Sequence, residues 1–193
     1  IEDLAIYRTL PNMVVMHPSD IVSTRELTKQ LVDLNSPSYM RTARNKTPIV
    51  HNGREDEIKI GKGIVLKDGH DVAIIACGVL VHEAMKAAEE LASQDISAAV
   101  IDMHTLKPLD TDLVDEYISK CGSLVTAEDH SVIGGLGSAV AEYSSATKPV
   151  PIERIGVQDR FGESGEAQEM LDLLHLSSPH ITEAAKRAVS RKA

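Results

Sequence analysis

The 193-residue sequence predicts an α/β protein: a three-layer α/β/α domain on a mostly parallel, roughly five-stranded sheet, preceded by the C-terminal half of a second parallel α/β unit. Three observations carry this. From Val72 to Ile155, short apolar runs alternate with helical stretches, the pattern of parallel strands joined by crossover helices. A shorter helix, strand, helix, strand series occupies residues 1–52. Between the two, residues 53–69 are polar, with Gly53, Gly61, Gly63 and Gly69 and the acidic group Glu55, Asp56 and Glu57. Such a stretch marks a linker or an edge strand, with the second domain running over 70–193.

The elements follow in order. Glu2 to Leu10 reads as the last turns of a helix stopped by Pro11 and Asn12, and Met13 to Met16 as a short buried strand. Ser19 is placed to cap the next helix, whose apolar positions Ile21, Leu27, Leu31 and Leu34 keep approximate helical spacing. Ser38 to Arg41 reads as a strand. Ile58 to Leu66 can pair as an edge strand. Strands are then expected at 72–76, 98–103, 123–127 and 151–155, with helices at 81–93, 111–120, 136–145, 166–174 and 181–191; Asp110 suits the cap of the second of these helices. The first residue, Ile1, already lies in helical pattern, so the sequence reads as part of something longer.

Composition excludes several classes. Forty-two per cent of residues are apolar, with no Trp and one Phe, so the expected core is aliphatic. Twenty basic against 29 acidic residues leave a net charge of −9, and no Lys or Arg run offers a footprint for nucleic acid. Apolar stretches fall short of a bilayer span and no signal leader is seen, which predicts no membrane association and a cytoplasmic protein. Cys77 and Cys121 read as reduced core thiols.

Four segments invite chemistry. Gly134 to Ser138 lies between a strand and a helix, where free amides can cradle phosphate; the dinucleotide pattern fails at Val140, and Glu128 and Asp129 would repel a pyrophosphate, so tight packing is the reading. Gly162 to Glu166 lacks the final glycine of a nucleophile elbow, leaving Ser164 as a helix cap. Glu128-Asp129-His130 follows a strand and reads as a loop group, in a catalytic or an interdomain role. The other histidines, 17, 51, 70, 82, 104, 175 and 180, show no metal-ligand spacing and read as surface or loop residues. Arg41 and Arg44 stand together at a strand end, where open sheets bind ligands; they are a solvated pair or a grip for phosphate, which the planar guanidinium suits.

Several segments together resemble the transketolase family, in one order and almost end to end. Ile1-Glu2-Asp3-Leu4-Ala5, Leu10-Pro11-Asn12 and Pro18-Ser19-Asp20 are similar to the end of its pyrimidine-binding domain, and Arg41-Thr42-Ala43-Arg44 resembles its strand-end motif. Leu106-Lys107-Pro108-Leu109-Asp110, Glu128-Asp129-His130 and Gly134-Gly135-Leu136-Gly137 resemble its C-terminal domain. The resemblance implies transfer of a two-carbon ketol unit between sugar phosphates in the pentose phosphate pathway, with thiamine diphosphate held by Mg²⁺ or Ca²⁺ at a dimer interface. It makes Arg44 the phosphate-gripping arginine and Arg41 an auxiliary one, with no group from residue 70 onward in the chemistry. It also places the cofactor and metal motifs and the activating glutamate in an N-terminal domain or subunit. These 193 residues are thus expected to bind no cofactor, to be inactive until that partner completes them, and to meet sugar phosphates only in the complete enzyme. A homodimer is the expected assembly. Deoxyxylulose phosphate synthase and the β subunit of 2-oxo acid dehydrogenases share the architecture, and a noncatalytic assembly module is the alternative of another class.

Overall fold

The computed structural model describes residues 1–192. Its main sheet has five strands, β3 (Ile64–Lys67), β4 (Val72–Ala76), β5 (Ala98–Asp102), β7 (Leu124–Ser131) and β8 (Ile152–Val157), in the order β3-β5-β4-β7-β8. All neighbours are parallel except the edge strand β3, which runs antiparallel to β5. Successive residues of β4 face opposite sides: Val72, Ile74 and Ala76 enter one core, Ala73 and Ile75 the other. A two-residue alternation in which both faces are apolar is the signature of a strand covered on both sides.

Helices α3 (Leu80–Ala92) and α7 (Ser178–Ser190) cover the first face. Buried alanines of both helices, Ala84, Ala87 and Ala88 with Ala184, Ala185 and Ala188, belong to one core cluster on this face. Helices α4 (Thr111–Cys121) and α5 (Leu136–Ala146) cover the second face, around Tyr117, Ile118 and Val140. A short α6 (Ala167–Leu173) precedes α7. Each fully buried Ile or Leu in these layers contributes about 1.5–3 kcal/mol. Cys77 and Cys121 are buried free thiols.

Residues before this domain form α1 (Asp3–Thr9), β1 (Val14–Met16), α2 (Ile21–Leu31) and β2 (Ser38–Met40), with β1 and β2 parallel. The second domain adds a strand to this sheet: β6 (Thr105–Lys107), from the segment read only as a motif, pairs antiparallel with β1 in the order β2-β1-β6. The two parts share a core, since Leu4 and Val15 pack with Ile75, Ile101 and Leu106. Residues 53–69 carry a 3₁₀ turn (Glu55–Glu57) and β3, and Ile58 and Ile64 are buried beside Val14, Met16, Val22 and Leu27. No helix among the described residues is long and apolar enough to cross a membrane.

Two caps differ from expectation. Asp20, not Ser19, caps α2, its carboxylate accepting from the Ser23 amide at 2.7 Å, because the Ser19 hydroxyl is drawn away to Asp102 Oδ2 at 2.6 Å. Ser164 lies outside the start of α6, whose N-cap position is Glu166 with no side-chain cap. Asp110 caps α4 as expected, at a long 3.5 Å to the Leu113 amide.

Candidate functional site

The carboxyl ends of β1, β2, β4 and β7 meet where the two parts of the chain join. Just beyond β2, Arg41 turns inward. Its Nη1 donates to Asp3 Oδ1 at 3.1 Å, and its Nη2 donates to the Asp129 carbonyl oxygen at 2.9 Å and lies 2.5 Å from Asp129 Oδ2. Asp3 is held from the other side by the Tyr39 hydroxyl at 2.7 Å, and the Tyr39 ring stacks on Tyr7 with centroids 3.9 Å apart. The guanidinium is thus committed to two carboxylates. Arg44 is placed differently: it is exposed, lines a cavity of about 430 Å³, and makes no ion pair or side-chain hydrogen bond among the described residues.

That cavity lies between the Thr42–Pro48 loop and the second domain, which supplies His82, Glu83 and Lys86 from α3, Asp129 from β7, and Gln168 from α6. Lys86 is paired with Glu83 at 2.7 Å and Arg41 with Asp129. Among the described residues, Arg44 and Lys46 therefore remain as cations without a carboxylate at a cavity wall, in a chain of net charge −9. Such a wall can hold an anion, and a guanidinium does so with two parallel donors.

Four histidines read as surface or loop residues are fully buried instead: His17, His51, His104 and His130. His17, His51 and His130 meet groups far away in sequence, which local spacing cannot reveal. His17 Nδ1 bonds the Arg41 carbonyl oxygen at 2.9 Å and Nε2 bonds Asp129 Oδ1 at 2.8 Å. His130 Nε2 accepts from the Ala5 amide at 3.2 Å, with Nδ1 on the Ser131 carbonyl oxygen. His51 lies between Asp20 Oδ2 and Asp102 Oδ2, 3.3 Å from each. The one usable sequence signal was position: His17 and His130 stand at or just past strand ends of a predicted parallel sheet.

Glu128-Asp129-His130 belongs to β7 itself, not to a loop after it, and two of its members join the halves of the chain. Glu128 turns the other way and accepts the Leu136 and Gly137 amides of α5, both at 2.8 Å. The glycines make room for this: a Cβ at Gly135 would lie 2.0 Å from Glu128 Oε2, and one at Gly137 would lie 2.7 Å from Thr126 Oγ1. The helix-start amides that could have cradled a phosphate are thereby taken by a carboxylate from the same chain.

Burial acts upward on every carboxyl here, but the outcome differs. At Asp129 it is outweighed by His17 and Arg41, and at Asp20 by His51 and the Ser23 and Val50 amides, so both are held well below the usual carboxylate range. At Asp102 burial prevails over His51 and Ser19, raising it to about 6, and at Glu128 it prevails over the Gly137 and Leu136 amides, raising it to about 7. Burial also lowers His104 to about 4.

A raised carboxyl takes up a proton in the folded state first, so its stabilisation is present at low pH and is lost as pH rises through the folded value. His104 works in the opposite sense, because the unfolded chain protonates it first. A difference experiment isolates Glu128. The melting temperature of the wild-type chain minus that of Glu128→Gln is expected to grow as pH falls from about 7.5 to about 5. A constant difference across that window would mean that Glu128 is ionised in the fold throughout.

A three-layer α/β domain is docked by its strand ends onto a smaller mixed sheet, with an arginine-lined cavity at the seam, and this arrangement belongs to the class of open-sheet α/β proteins. Residues 61–181 match the family described as transketolase, C-terminal domain, and the chain belongs to that family. It is 41% identical, over 99% of its length and 59% of the other's, to the 6-deoxy-6-sulfo-D-fructose transketolase subunit SqwH of Clostridium sp. strain MSTE9. To an apulose-4-phosphate transketolase subunit of Phocaeicola vulgatus it is 36% identical over 99% of its length and 61% of the other's. A solved structure titled "Split gene transketolase, inactive beta4 tetramer" superposes with a TM-score of 0.96 at 43% identity, covering 100% of this chain and 63% of that one. The chain thus spans about three-fifths of the length of these relatives, and it corresponds to a transketolase C-terminal section like those of the split-gene enzymes.

Proposed function

We propose that this chain serves a transketolase by gripping the anionic end of a sugar phosphate through Arg44, while a two-carbon ketol unit passes between sugars in the assembled enzyme. The observation that carries this is the contrast between the two arginines: Arg41 is saturated by Asp3 and Asp129, whereas Arg44 faces the cavity with its donors unclaimed among the described residues. Arg41 is in this reading a support, not an auxiliary ligand. The relatives named above agree in chemistry, since a sulfonated sugar and a sugar phosphate both end in a strong anion.

Anchoring a remote phosphate turns binding energy into orientation of the reacting carbon. The residues present do not fit thiamine diphosphate or its Mg²⁺ or Ca²⁺. No three His, Cys, Asp or Glu side chains among the described residues converge as a metal site, and the α5 amides are filled by Glu128. The cofactor is assigned to an N-terminal section or subunit, and the working enzyme to a cytoplasmic dimer of the completed unit.

In the complete enzyme, Arg44→Ala is expected to raise KM for phosphorylated ketoses about tenfold or more, the equivalent of one charged hydrogen-bond pair, and to leave KM for unphosphorylated ones within about twofold. Equal effects on both would remove Arg44 from the site. Xylulose 5-phosphate with ribose 5-phosphate should yield product; product only from pyruvate with glyceraldehyde 3-phosphate would overturn ketol transfer.

A further inference from the structure

The loop bearing Arg44 is tied at both ends to carboxylates, Asp129 of the second domain at its start and Asp20 of the first part at its end. At its start, Asp129 holds Arg41 directly and His17, which in turn bonds the Arg41 carbonyl oxygen. At its end, Asp20 Oδ2 accepts the Val50 and His51 amides at 2.9 and 3.0 Å, and the His51 ring lies between Asp20 and Asp102 of the second domain, 3.3 Å from a carboxylate oxygen of each. Asp102 ends β5 and Asp129 lies near the end of β7, on either side of the central β4. Between these ties, residues 42–49 make no backbone hydrogen bond among the described residues. The conformation of the loop therefore depends on its ends.

The strand order adds a second observation. The connection after β4 leads to β5 on one side, and the chain after β5 crosses back to β7 on the other, so the crevice at the carboxyl ends of β4 and β7 is the topological switch point, where open α/β sheets usually bind ligands. Here the first half of the chain fills it. Gly78, just past β4, has φ +56°, and a Cβ there would lie 1.9 Å from His17 Nε2. The ligand edge of the second domain has become a socket for the loop support.

We infer that the second domain is the positioning frame of the anion-binding loop: Asp129 and Asp102, acting through His17, Arg41 and His51, hold residues 42–49 so that Arg44 faces the cavity. The inference rests on Arg44 as the phosphate anchor and gives a role to a domain that supplies no reacting group. Ordering a loop residue costs backbone entropy. Clamps that meet this cost before substrate arrives leave more of the guanidinium's interaction for binding, and a displaced guanidinium loses its two-donor geometry.

The test uses the assembled complete enzyme carrying Asp129→Asn or Asp102→Asn. Trypsin cleaves after Arg44 and Lys46, and nicking there is expected to accelerate about fivefold or more, with cleavage elsewhere unchanged. KM for a phosphorylated ketose should rise by a similar factor while KM for an unphosphorylated one stays within about twofold. Unchanged nicking overturns the positioning role, whatever Arg44→Ala does. Faster nicking with an equal KM change for both sugars supports the frame and overturns Arg44 as anchor. If a buried-carboxylate variant does not assemble, Arg41→Lys, which keeps the charge and loses the fork, decides: the same pair of changes supports the frame, and their absence overturns it.

Discussion

Asp20→Ala is expected to lower stability by about 3–5 kcal/mol, the range for removing one partner of a buried charged network. The Asp20 carboxylate accepts the Ser23 amide at 2.7 Å, the Ser23 hydroxyl at 2.8 Å, and the Val50 and His51 amides at 2.9 and 3.0 Å. Losing the cap alone costs about 1 kcal/mol. Two buried or half-buried amides left without an acceptor cost about 1–3 kcal/mol each, less whatever water recovers. His51 would then face Asp102 alone. For a chain of this size, the melting temperature should fall by about 10 °C, measurable by calorimetry. Asp20→Asn keeps an oxygen for the Ser23 amide and should lose clearly less. Equal losses in the two variants would show that the cap contributes nothing and that the whole effect lies in the Oδ2 contacts to residues 50 and 51.

The second large effect is expected from Gly78→Ala. At φ +56° a non-glycine residue costs about 1 kcal/mol or more, and the added methyl would meet His17 Nε2 at 1.9 Å and two further ring atoms at 2.4 Å. The ring is fully buried and held on two sides, by Asp129 and the Arg41 carbonyl oxygen, so it cannot swing clear without breaking both bonds. A total of about 4 kcal/mol is expected, by urea titration. Gly53→Ala is the control: φ is +74° there, but nothing lies within 4 Å of the added carbon, so only the backbone cost of about 1 kcal/mol applies. If the two variants lose the same amount, His17 does not occupy the socket.

These two residues show where sequence reasoning stopped. Asp20 could be placed at a helix start, and the hydrogen-bonding preference of Asp at that position explains the cap. Nothing near it in sequence pointed to residues 50 and 51, because that contact is made by a loop returning across the first sheet. Gly78 follows a strand whose apolar run was plain, yet its need to be glycine comes from an imidazole at position 17. The arginine pair was visible as a pair at a strand end. Which member is consumed by carboxylates depends on Asp129, 88 positions along the chain from Arg41, and on Asp3, 38 positions before it.

The amino-acid order alone determined the alternation of strands and helices, the parallel sheet and the placing of Arg41 and Arg44 at one strand end, because apolar periodicity and capping act over a few neighbouring residues. Tertiary structure alone decided that β6 joins the first sheet, that four histidines are buried and that Arg44 keeps its donors unclaimed among the described residues. Each of these depends on partners brought together by folding, and a desolvated ion pair or a filled crevice exists only once the surfaces that exclude water have met.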